Sequence, residues 1–209
     1  MTQIIIDTVV LRVMSFAHPQ GIEILLDAIN VSCARFPTEV YNRDEDNLPL
    51  KVNDEELSEL GRGLRYAQRQ IQQLPPTESR RFQTWLKNAE QLNHHFDRGS
   101  LVVEILTVEE LYKREMLQIN YPQLGKGEVA CLVLAQRYQV QAVFLSSDDK
   151  ACEVAKELKI PHLTLPDILE AWVQTKQPPQ DELNTLIEGM ANAQFGLKRS
   201  FIEQLRQRL

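Results

Sequence analysis

LGKGEVACLVLAQRYQVQAVFLSSDD, residues Leu124–Asp149, carries three acids around a very apolar helix and one short strand. Glu128 opens the helix. Val129, Ala130, Cys131, Leu132, Val133, Leu134 and Ala135 follow it, so Glu128–Tyr138 is apolar on nearly every face and is expected to be deeply buried. A carboxylate in the first turn is favoured there by unpaired backbone amides and the positive end of the helix dipole. Ala142-Val143-Phe144-Leu145 is continuous rather than alternating, the pattern of a buried parallel strand. Asp148 and Asp149 then fall at its carboxyl end, where open α/β sheets form their ligand crevices. The stretch is a candidate site as well as a core.

The same grammar extends in both directions. Gln3-Ile4-Ile5-Ile6 is a β-branched run ending in Asp7, and predicts a central first strand with an acid at its end. Val31–Phe36 and Leu101–Leu106 predict further strands, and Val108–Met116 a helix. After the opening stretch come a helix over Lys150–Leu158, a strand over Ile160–Leu165 and a helix from Pro166 through Val173. Strand and helix alternating in this way demand a parallel sheet with right-handed crossovers. Between Asp46 and Arg98 the pattern changes. Leu57, Leu60, Leu64, Ala67, Ile71 and Leu74 form one stripe, and Phe82, Trp85, Ala89, Leu92 and Phe96 another, with Pro75-Pro76 between them. Residues 46–98 are therefore expected to be an inserted antiparallel helical hairpin, standing partly off the body with Trp85 or Phe96 uncovered. Residues 180–209 are expected to be a helical tail, the whole chain 1–209 making one domain.

Composition bounds the function. At 43% hydrophobic and 25% charged, the chain is expected to be globular. A net charge of −6 argues against non-specific coating of nucleic acid, which needs cationic surface, but suits a protein rich in metal-binding carboxylates. Cys33, Cys131 and Cys152 have no disulfide or metal-ligand spacing. With no basic leader before an apolar run and no stretch of membrane-spanning length, a cytoplasmic location is expected, with no membrane partner.

Each acid has a structural reading beside the chemical one: Asp7 and Asp148 are good helix caps, and Glu128 a favourable first-turn charge. Their coincidence at one sheet edge is what argues for chemistry. His94-His95 has no partner ligands at suitable spacing and is expected to be a solvated helix end. Cys131 and Cys152 read as small core residues. Ser146 and Ser147 lack a His base, and Gly125-Lys126-Gly127 lacks the spacing of a phosphate loop. Lys126, Lys150 and Arg12 are candidate phosphate contacts.

Ile4-Ile5-Ile6-Asp7-Thr8 resembles the opening strand and acid of PIN domains, the metal-dependent nuclease fold of VapC-type toxins. Phe36-Pro37-Thr38-Glu39-Val40 resembles that family's next strand-to-helix junction. Leu124–Ala130 with Leu134-Ala135 resembles its acid-bearing buried helix, and Leu145–Ala151 its last strand, acid and helix. Phe195–Ser200, followed by an apolar helix, resembles the tail of one PIN-like subgroup; the hairpin lies outside the resemblance. The resemblance implies a three-layer α/β/α fold and a metal-dependent ribonuclease. It implies Mg²⁺ or Mn²⁺ held by Asp7, Glu128 and Asp148, with Asp149 as an additional ligand, and RNA as substrate. It also implies an antitoxin-type protein partner or a homodimer. Val9 stands where the family often has a small polar residue, and Arg43 where many members carry a fourth acid, with Asp44 beside it. These departures open an alternative: a catalytically degraded scaffold that binds protein or RNA.

Overall fold

The computed structural model describes residues 2–43 and 55–209; Asp44 and the start expected for the hairpin near Asp54 lie outside the described residues. The chain separates into two compact units. One comprises residues 1–10, 33–63 and 101–164; the other comprises 11–32, 64–100 and 165–209.

The first unit holds a five-stranded, all-parallel sheet: β1 (Gln3–Ile6), β2 (Ala34–Pro37), β3 (Leu101–Glu104), β4 (Ala142–Leu145) and β5 (His162–Leu163). Their order is β3-β2-β1-β4-β5, and the fold is the expected α/β architecture, a parallel sheet flanked by helices. β1 is central because its three isoleucines are buried on both faces, which only an inner strand permits. It runs beside β2 on one side and β4 on the other, so the strand order reverses direction at β1. Pairing of Ile6 with Leu145 puts the carboxyl ends of β1 and β4 level. β2 begins at Ala34, three residues later than Val31, and β5 is only two residues long.

The apolar helix expected to be buried is α7 (Lys126–Tyr138), and its residues Val129–Ala135 are all buried. It packs on β1, β2 and β4 and against α6 (Val108–Asn120). Its all-round apolarity follows from having neighbours on several sides. α8 (Asp149–Glu157) starts directly after Asp148.

α1 (Thr8–Ala17) follows β1, and α2 (Gly21–Ala28) follows α1. The hairpin residues form α3 (Glu59–Gln73), α4 (Pro76–Ala89) and α5 (Gln91–Asp97), so the second arm is interrupted at Glu90. In the second unit Trp85 is not uncovered, contrary to the expectation from the stripes. Its ring stacks on Phe16 of α1 at 5.2 Å between centroids and meets Phe82 edge-on at 5.0 Å. Aromatic area of this size is too costly to leave wet when a neighbouring helix can cover it. His95 also departs from the solvated helix end expected: it is buried, with Nδ1 3.0 Å from the Ser100 hydroxyl.

α9 (Leu165–Lys176), α10 (Gln180–Asn192) and α11 (Arg199–Gln207) complete the second unit, with α9 packed on α2 and α11. Gly189 of α10 passes so close to α1 that an added Cβ would lie 2.1 Å from the Ala17 carbonyl oxygen. Among the described residues no helix is long and apolar enough to cross a membrane.

Asn88 donates from Nδ2 to the carbonyl of Phe16 at 2.8 Å in a buried setting. Asn88→Ala is expected to cost about 1 kcal/mol, because the carbonyl loses its partner without regaining water. Urea denaturation reads this directly. A midpoint equal to that of the parent chain would show that the bond contributes nothing.

Candidate active site

The candidate site lies in the first unit, at the carboxyl ends of β1 and β4. Asp7 leaves β1 still paired, its amide donating to the Leu145 carbonyl at 3.0 Å. Its side chain is completely buried. Oδ1 accepts from the Val10 amide at 2.8 Å and so caps α1, while Oδ2 is buried with no hydrogen-bond partner. Burial pushes the Asp7 carboxyl up to about 7; the Ser146 side chain and the Val10 amide pull the other way, and Glu128 and Glu59 add to the rise.

Asp148 follows β4 by three residues. It caps α8, accepting from the Ala151 amide at 3.0 Å, and its own amide donates to the Ser146 hydroxyl at 3.1 Å. Glu128 sits in the first turn of α7, where its Oε2 accepts from the Gly125 amide at 2.8 Å. Burial holds its carboxyl above the ordinary range, with Asp148 and Glu59 reinforcing the rise and the Gly125 amide and Lys150 opposing it. The capping and chemical readings of these acids are thus not alternatives. A single oxygen satisfies the cap, and each carboxylate has a second oxygen.

Glu59, which sequence reasoning missed, belongs to the same neighbourhood. It stands at the start of α3, where its amide donates to the Glu39 carbonyl at 3.0 Å. Its Oε1 accepts from the Gly127 amide at 3.0 Å, and its Oε2 accepts from the Thr8 hydroxyl at 2.5 Å. Gly127 is required for this approach, since a Cβ there would lie 2.5 Å from Glu59 Oε2. The glycine before Glu128 was a visible signal that something comes close to that helix start.

The remaining candidates are placed as follows. Asp149 is exposed in the first turn of α8, and Lys150 is exposed beside it. Lys126 is exposed at the start of α7. Arg12 belongs to the second unit, and Arg43 is half-buried. Cys131 is buried with its thiol 3.4 Å from the Ile6 carbonyl oxygen, and burial pushes the Cys152 thiol up to about 11, so neither is a nucleophile. Next to Glu59 opens a cleft of about 610 Å³, lined by Glu39, Glu59, Arg62, Arg114, Gly125 and Lys126 among others. Glu39 is paired with Arg114.

Among the described residues no three His, Cys, Asp or Glu side chains are positioned to grip a metal ion as they stand. Glu59 and Glu128 are instead drawn to the amides of Gly127 and Gly125. The donor set nevertheless suits a hard divalent cation. It is all oxygen, and it includes a buried carboxylate oxygen, Asp7 Oδ2, that makes no geometrically sound hydrogen bond.

Comparison with known families gives a match to a model described as PIN domain over residues 86–209, a span that contains Glu128 and Asp148 and begins within α4. The second hairpin arm therefore lies partly inside the family region, not outside it. No curated protein and no solved structure matches the chain. The matched span is more than half of the 209 residues, and it contains the strand, acid and helix arrangement described above. The chain belongs to the PIN-domain family.

Proposed function

We propose that this protein is a metal-dependent ribonuclease of the VapC-like PIN type, working in the cytoplasm with Mg²⁺ or Mn²⁺ and paired with an antitoxin-type partner. The observation that carries the proposal is Asp7 Oδ2, a fully buried carboxylate oxygen that makes no geometrically sound hydrogen bond and has only the Ser146 side chain to ease it, at the point where the sheet's strand order reverses. A fold that only needed a helix cap would not keep a second charged oxygen dry, because an isolated buried charge is expensive. Asp7, Glu128 and Asp148 would hold the ion, with Asp149 as an additional ligand and Glu59 held nearby by the Thr8 hydroxyl and the Gly127 amide. When bound, such an ion supplies an acidified water and offsets the charge developing on a phosphate.

The chain's own residues then divide the remaining work. Thr8 and the Gly127 amide hold Glu59. The Gly125 amide orients Glu128, and the Ala151 amide orients Asp148. Lys126 and Arg62 line the neighbouring cleft, where cations suit the phosphates of a single strand. Lys150 acts on Glu128 electrostatically and is a second candidate for a phosphate contact.

The second reading, a scaffold that binds RNA or protein without cutting, is favoured by Arg43 at the fourth-acid position and by the amide contacts that now occupy Glu59 and Glu128. Titration calorimetry with Mn²⁺, run beside cleavage of an unstructured RNA, separates the two. Heat of binding together with Mn²⁺-dependent cleavage is expected. RNA binding with no Mn²⁺ uptake and no cleavage would leave the scaffold reading in possession.

A further inference from the structure

Charge is spread unevenly along the chain. Residues 64–100 carry six Arg or Lys and three Asp or Glu, a net +3 inside a protein of net −6, so the remaining residues hold −9. Arg80, Arg81 and Lys87 of α4 are exposed, and none of them is ion-paired among the described residues. Arg114 and Arg137 in the first unit are by contrast each held by a glutamate. Arg80 and Lys87 lie two turns apart on one face of α4, about 10.5 Å along its axis, with Arg81 next to the first. An aromatic ring stands with these cations. Tyr66 of α3 is 43% exposed and meets the buried Phe82 ring edge-on, 5.8 Å between centroids. The Arg81 guanidinium lies over the same Phe82 ring, 4.6 Å from its centroid. Phe82 thus anchors a half-exposed phenol ring and a cation together in the second unit.

We infer that this surface of the helical hairpin binds a single nucleic-acid strand, and does so without the acids at the sheet edge. Unpaired cations along a helix face suit a run of phosphates, because binding them releases counterions. An acidic polypeptide would feel the same charge but has no use for Tyr66. An unstacked base has, since stacking on a fixed aromatic ring is the contact that single strands make and that duplex bases, already stacked on each other, cannot. The net charge of −6 argues against coating nucleic acid over the whole surface; the local reversal of sign confines the contact to the hairpin. The inference does not depend on the nuclease reading, because binding here needs neither a metal nor Asp7.

Fluorescence anisotropy of a labelled oligouridylate, titrated with the full chain in EDTA across a range of NaCl concentrations, tests it. Micromolar binding is expected at low salt. Replacing Arg80, Arg81 and Lys87 together by Gln should weaken it at least about tenfold there and flatten the slope of log Kd against log salt by about 2. Tyr66→Leu should weaken binding about fivefold or more at every salt concentration with the slope unchanged, and Tyr66→Phe should bind like the parent chain. Should Tyr66→Leu fail to fold, the three Gln substitutions, all at exposed positions, still decide the matter. Oligodeoxythymidylate is expected to bind about as well as oligouridylate, since neither phosphate contacts nor stacking read the 2′-hydroxyl. A parent chain that binds no strand at micromolar concentration overturns the inference, as does a salt slope that the Gln substitutions leave intact. A duplex bound as tightly as the single strand also overturns it, and so does polyglutamate that displaces the strand as well as unlabelled oligouridylate does.

Discussion

Asp7→Asn is expected to make the metal-free protein more stable at pH 8 and at the same time to lower Mn²⁺-dependent RNA cleavage by at least about a hundredfold. The stability gain comes from the carboxyl having been pushed from 3.8 to about 7 in the folded chain. The sign is that of a raised acid. Below pH 3.8 the group is protonated in both states and costs nothing. As pH rises towards 7 the unfolded chain ionises first, so stability falls; above 7 the full cost is in place. At about 1.4 kcal/mol per pH unit, the penalty removed is on the order of 4 kcal/mol, or a rise of about 8–16 °C in Tm for a chain of this size. Asparagine keeps an oxygen for the Val10 amide, so the cap survives. Asp148→Asn provides the contrast. Asp148 is half-buried, and asparagine again retains the Ala151 cap, so cleavage should be lost with little change in Tm. Melting both variants at pH 8 and pH 4, with chelator and then with Mn²⁺, reads the two effects separately. Mn²⁺ should stabilise the parent chain and not Asp7→Asn. An Asp7→Asn protein less stable than the parent at pH 8 would show that Oδ2 is satisfied in solution.

The parts of the fold that were legible in the sequence share one property: their burial leaves a one-dimensional trace. Ile4–Ile6 and Ala142–Leu145 are continuous apolar runs because both faces of an inner parallel strand are covered, and α7 is apolar all round for the same reason. The acids at strand ends, Asp7 and Asp148, were legible because strand end and crevice coincide in such sheets. Glu59 was not. It reaches the site across a sequence separation of 68 from Gly127, from a helix whose stripe says only which side is apolar. That α6 turns Val108, Tyr112 and Ile119 to solvent and Glu110 inward was equally hidden, because the periodicity of Val108–Ile119 is the same whichever side faces the body. What turns the helix is a set of ion pairs to Arg137 and Glu39, and pairing partners leave no periodic signal. The break at Glu90 carries neither glycine nor proline, so two helices read as one arm.

Those ion pairs account for the second large effect. Arg137→Ala is expected to destabilise the protein by about 2 kcal/mol at pH 7, because one guanidinium serves three groups. Nε and Nη2 donate to the two oxygens of Glu110 at 2.8 and 2.6 Å, Nη1 donates to Glu104 at 3.0 Å, and Nη2 also reaches the Ile105 carbonyl at 2.9 Å. Glu104 keeps Arg35 and the Tyr138 hydroxyl, so it tolerates the loss. Glu110 does not. Its other bonds are the capping pair with Thr107, and without Arg137 it remains a nearly buried carboxylate with no cation on it. Arg137 first, and Thr107 after it, hold the Glu110 carboxyl down to about 2 from 4.5, against burial. A depressed acid contributes its stability above the unfolded value of 4.5 and loses it as pH falls towards 2. The full shift would be worth about 3 kcal/mol, discounted to about 2 because water reaches one side of the pair. The deficit of Arg137→Ala should therefore shrink by about half between pH 7 and pH 3. Arg137→Lys should recover only part of it, since an ammonium restores the charge but not the fork. Urea denaturation of the three proteins at both pH values decides the matter. A deficit independent of pH would mean that Arg137 acts through packing of its aliphatic stem and not through Glu110.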